Sequence, residues 1–203
     1  MTMDYRYNIY SAPYEDIVQQ KTVFSLNCNL IGRYTNIYNL LHNKKSARDE
    51  FDNIYHSRCV YCGVNFSALD YPLFEIDHFI PTNPKDNTIH NLVLSCHKCN
   101  RLKSDFFFKE MIGLCHPDTG KLFEIFTRSD DFTIQVSERF KVNTIVAEFY
   151  NKLELGSFLR QLDYLISFIF DSLKNKKHSD DVIRSLSIVK DKLREKRNYF
   201  YKE

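Results

Sequence analysis

The sequence predicts an α+β fold in which a small ββα unit, built around a four-cysteine metal site, carries a helix before it and a helical region after it. Three observations predict it. Cys59-Val-Tyr-Cys62 and Cys96-His-Lys-Cys99 are two pairs of identical spacing, separated by thirty-three residues. Two short stretches compatible with strands, Leu73 to His78 and Leu92 to Ser95, lead into a helical pattern from His97 to about Lys109. The chain beyond residue 141 repeats apolar residues at steps of three and four, the period of a helix with one buried face.

Taken in order, residues 1–57 form an N-terminal helical extension. It opens on a Tyr-rich irregular stretch, and a helix is predicted from about Ser25 to Leu41, where Leu26, Leu30, Tyr34, Ile37, Leu40 and Leu41 recur at helical steps. His42 to Asp52 reads as a polar segment. Residues 58–110 are the ββα module. Residues 111–140 hold the turn cluster His116-Pro-Asp-Thr-Gly120 and a hairpin of Lys121 to Thr127 with Phe132 to Val136 around Arg128 to Asp131. Residues 141–203 are the C-terminal helical region, with helices near Asn143–Leu153, Ser157–Leu173 and Ser179–Phe200, Ser157 and Ser179 as caps and Gly156 as a break. Leu159, Leu162, Leu165, Ile166, Ile169 and Phe170 make a broad stripe suited to burial against the module.

The cysteines call for a metal. A two-residue gap lets both thiolates of a pair reach one ion at about 2.3 Å, and two pairs close a tetrahedral structural zinc site. Four buried thiols are the plainer alternative. Some fifty residues with short strands bury little apolar surface, whereas structural zinc supplies on the order of 10 kcal/mol in small domains. With Cys59, Cys62, Cys96 and Cys99 filling all four positions, this ion would stay clear of substrate. Cys28 and Cys115 lack partners at ligand spacing and read as buried thiols.

Between the pairs lie Phe74-Glu-Ile-Asp-His-Phe-Ile-Pro81, His90-Asn-Leu-Val-Leu-Ser95 and Cys99-Asn-Arg-Leu-Lys-Ser-Asp105. Phosphodiester hydrolysis needs an activated water, a cation for the charge growing on phosphate, and help for the departing oxygen. His78 is the candidate general base, because imidazole titrates nearest neutrality. Asp77 offers a hard carboxylate and Asn100 an amide oxygen to one divalent ion. Neighbours on a strand face opposite ways, so Asp77 and His78 share a site only where the strand ends or bends; Pro81 suits a chain leaving the sheet. Asn91 is placed to hold the loop from Ile80 to His90 and orient His78. Lys103, one helical turn from Asn100, is the candidate phosphate contact. Each of these residues alone has an ordinary explanation; the combination and its spacing carry the reading.

These motifs resemble the HNH endonucleases of ββα-metal fold, in the subgroup braced by a four-cysteine zinc. They are similar to the HNH domain of RNA-guided CRISPR nucleases, which shares the Asp77-His78-x-x-Pro81 run and the Asn100-Arg101-x-Lys103-Ser104-Asp105 ending. The strong resemblance covers about Arg58 to Phe108, a quarter of the chain. His116-Pro117 and the hairpin after it are similar, more weakly, to stand-alone bacterial HNH proteins. The resemblance implies a single-metal nuclease acting on DNA, with His78 as base, Asp77 and Asn100 as catalytic metal ligands, Asn91 as the central orienting residue and the four cysteines on structural zinc. Asn100 stands where many members carry a final His. An amide oxygen is the harder ligand, which favours Mg²⁺ or Mn²⁺. Stand-alone HNH proteins of this size serve in restriction, homing, phage packaging and anti-phage defence, some beside an ATPase subunit. The C-terminal helices are the part available for such a partner. A non-catalytic zinc-ribbon module that binds nucleic acid or protein is the alternative, and Asp77, His78, Asn91 and Asn100 argue against it.

Composition narrows the rest. The 203 residues are 43% hydrophobic and 27% charged, with a net charge of +2, which excludes large-scale disorder and a global polyelectrolyte. From Lys174 to Lys202, ten basic residues face four acidic ones. That excess could follow a phosphate backbone or could be a solvated helix face. Arg101 and Lys103 beside the site, with Lys192 and Lys196 on the last helix, are the candidate nucleic-acid contacts. No stretch is apolar enough for a membrane span, and Met1 to Tyr14 lacks the pattern of a secretion signal, so a reducing cytoplasm is expected. A double-strand cut by a module that cuts one strand would imply a homodimer or two recruited copies.

Overall fold

The computed structural model describes residues 4–9, 16–29, 36–69, 74–82, 85–174 and 178–201. Their order is α1 (Ile17–Asn29), α2 (Ile37–Asn43), α3 (Lys45–Ile54), β1 (Phe74–His78), β2 (Leu92–Cys96), α4 (His97–Lys103), α5 (Met111–Leu114), α6 (Leu122–Ile125), β3 (Phe126–Arg128), β4 (Ile134–Val136), α7 (Thr144–Lys152), α8 (Phe158–Lys174) and α9 (Asp180–Tyr201). Helices and two small antiparallel sheets make up an α+β fold, with β1, β2 and α4 as the ββα module.

The N-terminal part departs from expectation. Instead of one helix from Ser25 to Leu41, α1 ends at Asn29 and α2 begins at Ile37; Leu30 and Tyr34 lie outside the described residues. The face of α1 that packs inward is Ile17, Lys21, Phe24 and Cys28, while Leu26 is 63% exposed. A buried lysine on that face and valines on the opposite one erase the apolar periodicity. The segment from His42 to Asp52, read as merely polar, is largely helical: α3 buries Ala47, Phe51 and Ile54, four and three residues apart, and leaves its many charges outside. Asn36 caps α2 by accepting from the Asn39 N–H at 2.9 Å.

In the module, β1 pairs with β2 throughout, Asp77 opposite Val93 and His78 opposite Leu92. Leu73, the expected first strand residue, lies outside the described segment. The first cysteine knuckle joins the sheet through the Val60 N–H, which donates to the Leu94 carbonyl at 3.0 Å. Helix α4 stops at Lys103 rather than Lys109, because Ser104 takes φ +49 and turns the chain. The hairpin is shorter than expected, since Leu122–Ile125 coils into α6 before β3 begins. Asn143 caps α7 by accepting from the Val146 N–H at 3.0 Å, and Leu159, Leu162, Ile166 and Ile169 form the buried stripe of α8.

One apolar core extends from Tyr5 to Leu155 and includes residues before, within and after the module. Residues 4–8 lie against the first knuckle: Tyr5 Oη donates to the Tyr61 carbonyl, and Arg6 Nη1 donates to the carbonyls of Val60 and Pro117. Gly63 permits this approach. It has φ +75, and a Cβ there would stand 2.5 Å from Arg6 Cα. On the other side, Arg58 pairs with Asp171 of α8, which also accepts from Asn8 and Asn65. Among the described residues, no helix is long and apolar enough to cross a membrane.

Candidate active site and metal centre

The four sulfurs of Cys59, Cys62, Cys96 and Cys99 all lie within 4.8 Å of one another. Zn–S bonds of about 2.3 Å in a tetrahedron put sulfurs roughly 3.8 Å apart, and the Cys62 and Cys96 sulfurs are 3.9 Å apart. The cluster has the size and chemistry of a closed zinc site. Each pair gets its geometry locally. In the first knuckle the Gly63 N–H donates back to the Cys59 carbonyl at 2.9 Å. In the second, Cys96 ends β2 and caps α4, its sulfur accepting from the Cys99 N–H at 3.4 Å. Cys28 is half-buried and Cys115 buried, both outside the cluster. Burial pushes the Cys115 thiol up to about 12, which keeps it protonated and unreactive.

A second constellation lies around the end of β1. A cleft of about 340 Å³ is lined by Asp77, His78 and Asn100, with Tyr38, Pro81, Thr82, Lys85 and Asp105 among its other walls. The strand ends at His78, so the adjacent Asp77 and His78 both reach this cleft. Asp77 is buried, accepting at 2.7 Å from Tyr61 Oη and at 3.1 Å from Lys103 Nζ. Burial pushes its carboxyl above the ordinary carboxylate range; Lys103 and Tyr61 oppose that rise. Asn100 donates through Nδ2 to Glu75 Oε2 at 2.5 Å. A carboxylate can only accept, so the amide nitrogen must face Glu75 and the amide oxygen is left for a cation. A hard carboxylate oxygen and a free amide oxygen suit a hard divalent ion.

His78 Nε2 is 2.9 Å from Asn87 Oδ1, and its ring lies 4.8 Å from that of Tyr38. An amide oxygen at Nε2 favours the tautomer with its proton there, which leaves the lone pair on Nδ1. Asn91 is buried in the loop that presents Asn87. It accepts from the Ile80 N–H at 2.7 Å and donates to the carbonyls of Ile80 and Asp86 at 3.1 and 2.9 Å.

Lys103 requires a correction. Expected to offer its charge to phosphate, it is fully buried, and its ammonium donates to Asp77 Oδ1, to the His78 carbonyl at 2.8 Å and to the Ser104 carbonyl at 3.5 Å. Three donors meet three acceptors, so none remains for a nucleic acid. Its place is beneath the end of β1, where it holds Asp77 and His78 together.

The other basic candidates are scattered. Arg101, Lys192 and Lys196 are exposed, with Lys196 Nζ 4.9 Å above the Phe158 ring. Arg194 donates to the Ala68 carbonyl and Arg197 pairs with Asp163, so part of the basic run serves internal packing; Lys176, Lys177 and Lys202 are outside the described residues. Lys85 is the basic residue that lines the cleft.

Sequence reasoning missed Tyr38, Glu75, Asn87 and Lys85. Glu75 was within reach, since it stands two residues before Asp77 and therefore on the same strand face. Tyr38 comes from a helix forty residues upstream, and no local signal announces it. Arg160 of α8 was also missed: only 1% exposed, it lies against three of the four cysteine sulfurs.

Residues 59–106 match the model of the family described as HNH endonuclease. No match was found among curated proteins or among solved structures.

Proposed function

We propose that this chain is a metal-dependent endonuclease that hydrolyses phosphodiester bonds in DNA, with His78 as general base and Asp77 and Asn100 holding one Mg²⁺ or Mn²⁺ ion. The observation that supports this best is the shared cleft of Asp77, His78 and Asn100 within a segment matched by a nuclease family. Beside it, four cysteine sulfurs within 4.8 Å of one another would hold a structural zinc that braces the platform.

The chain's own residues divide the work. Asn87 holds the Nε2 proton of His78, leaving Nδ1 to take the proton of a water as that water's oxygen forms a bond to phosphorus and the bond to the leaving sugar oxygen breaks. Asn91 fixes the loop that carries Asn87, so the tautomer is set by a rigid partner. Tyr38 limits the swing of the ring. Lys103 ties the strand end, and Glu75 orients Asn100. A hard divalent ion bound by Asp77 and Asn100 supplies neutralisation of the charge that grows on the phosphate and the leaving oxygen. Lys85, Arg101, Lys192 and Lys196 are the candidate DNA contacts.

The setting follows the resemblance: a cytoplasmic nuclease component of a restriction or anti-phage system. The exposed Val182, Ile183, Ile188 and Val189 of α9 leave apolar surface for a partner subunit, such as an ATPase, or a second copy.

Nicking of plasmid and single-stranded DNA with Mg²⁺ or Mn²⁺ tests the reading. His78→Ala is expected to lower cleavage by at least about a hundredfold, with zinc content and circular dichroism unchanged. Wild-type cutting by that variant removes His78 as the base. Wild-type protein that binds DNA yet never cuts it, with either ion or with its partner, returns the chain to the zinc-ribbon binding module.

A further inference from the structure

Zinc bound by four thiolates carries a net charge of minus two, and the cysteines here are buried or nearly so. An uncompensated charge in such a place is strongly unfavourable. Compensation comes from outside the matched segment. The Arg160 guanidinium donates through Nη2 to Cys99 Sγ at 3.0 Å, and through Nη1 to Cys62 Sγ at 3.4 Å and Cys96 Sγ at 3.7 Å. A planar fork reaches the three sulfurs from two separate nitrogens held in one rigid geometry, which the single nitrogen of a lysine does not reproduce. Arg160 is held in turn. Its Nη2 also reaches the Leu153 carbonyl at 3.4 Å, Nη1 lies 3.7 Å from Asp163 Oδ2, and Asp163 Oδ1 accepts from Arg197 Nε of α9 at 2.5 Å.

We propose that Arg160 is the built-in counter-charge of the zinc centre, anchored by the Asp163–Arg197 pair, so that the α8–α9 hairpin is part of the metal site. The inference rests on the four-cysteine zinc reading and is independent of catalysis. By donating to the sulfurs, Arg160 offsets the negative charge that the zinc-loaded centre carries and shields the sulfurs from oxidants, which favours the loaded state. The sulfurs then release zinc slowly.

The test uses the full chain, with zinc release to excess EDTA followed by a colorimetric zinc indicator, and cobalt substitution for spectroscopy. Arg160→Met is expected to be isolated with one zinc per chain but to release it about tenfold faster or more, as for lost partners of metal ligands in general. Its sulfur-to-cobalt charge-transfer band should move to lower energy, because sulfurs without hydrogen bonds give up electron density more easily. Arg160→Lys, which keeps the charge but not the fork, should fall between. Arg197→Gln touches no sulfur and should accelerate release about two- to threefold. Wild-type release rates and band energies in both Arg160 variants overturn the proposal. If Arg160→Met fails to fold, the same result from Arg160→Lys alone overturns it. Wild-type protein without zinc would instead remove the zinc reading beneath it.

Discussion

His116 shows how a residue outside the chemistry can set a pH limit. Its Nε2–H donates to the His90 carbonyl at 3.2 Å and its Nδ1 accepts from the Asp118 N–H at 3.3 Å, so the neutral ring fills both roles. Burial lowers its pKa from the ordinary value of 6.5, with Lys21 adding to the fall and Asp118 opposing it. For a base with a depressed folded-state pKa, the unfolded chain binds more protons in the window below 6.5. The stability this ring contributes is therefore complete above pH 6.5 and is lost as pH falls through the lower folded-state value. Thermal midpoints from pH 8 to 5 should drop in the wild type more than in His116→Gln, whose amide mimics the neutral ring. A constant gap between the two curves would rule the titration out. At this scale the sequence was legible where spacing is short: the cysteine pairs, and Asp77 with His78. Lys103 shows the limit, because helical spacing gives a residue's face but not whether water or protein lies beyond it.

Among the elements, α1 is the one whose attachment could not be read in advance. Lys21 is fully buried, its ammonium donating to Asp118 Oδ2 at 2.6 Å and to the Leu92 carbonyl at 2.7 Å, while Tyr55 Oη donates to Asp118 Oδ1 at 3.1 Å. One lysine thus joins α1 to β2 and to the turn at His116. A charged side chain in an inward-facing row looks like a break in the pattern until its partner is known, and that partner is ninety-seven residues away. Lys21→Met should cost about 3–5 kcal/mol in urea unfolding, because Asp118 is left buried without its cation. Adding Asp118→Leu should recover much of that loss. A single variant within about 0.5 kcal/mol of wild type would show that the pair holds nothing together. The element α3 was missed for a related reason: three buried residues in a charged segment suffice for a helix when a core is there to receive them.

For the molecule as a whole, the matched segment and the folded unit differ in extent. Residues 59–106 contain the four cysteines and the proposed catalytic residues, but their support comes from both ends of the chain. Tyr5 and Arg6 bond the first knuckle, Arg58 reaches Asp171, the Asn65 N–H donates to Ser167 Oγ at 3.0 Å, and Arg160 meets the sulfurs. Local pattern gave the class of fold and the three C-terminal helices nearly to their ends, since periodicity is local, although the Ser157 hydroxyl expected to cap α8 makes no hydrogen bond among the described residues. These long-range pairs have no local signature. A chain ending at residue 140 is expected to lack a cooperative thermal transition and to retain less than half of the zinc of the full chain. One zinc and a sharp transition in that shorter chain would make the module self-sufficient.

The contact between Arg160 and Cys99 also sets a schedule for synthesis. The two residues are separated by sixty-one positions, which a ribosome adding 5–20 residues per second covers in roughly 3–12 s. During that interval all four thiols have been made while the guanidinium that covers three of them has not. If Arg160 is the counter-charge proposed above, the nascent chain passes through a period in which a bound zinc would be exchanged, and the sulfurs oxidised, more readily than after release. The arginine reaches a centre whose four sulfurs are already in place, and its own anchor, Arg197, comes later still.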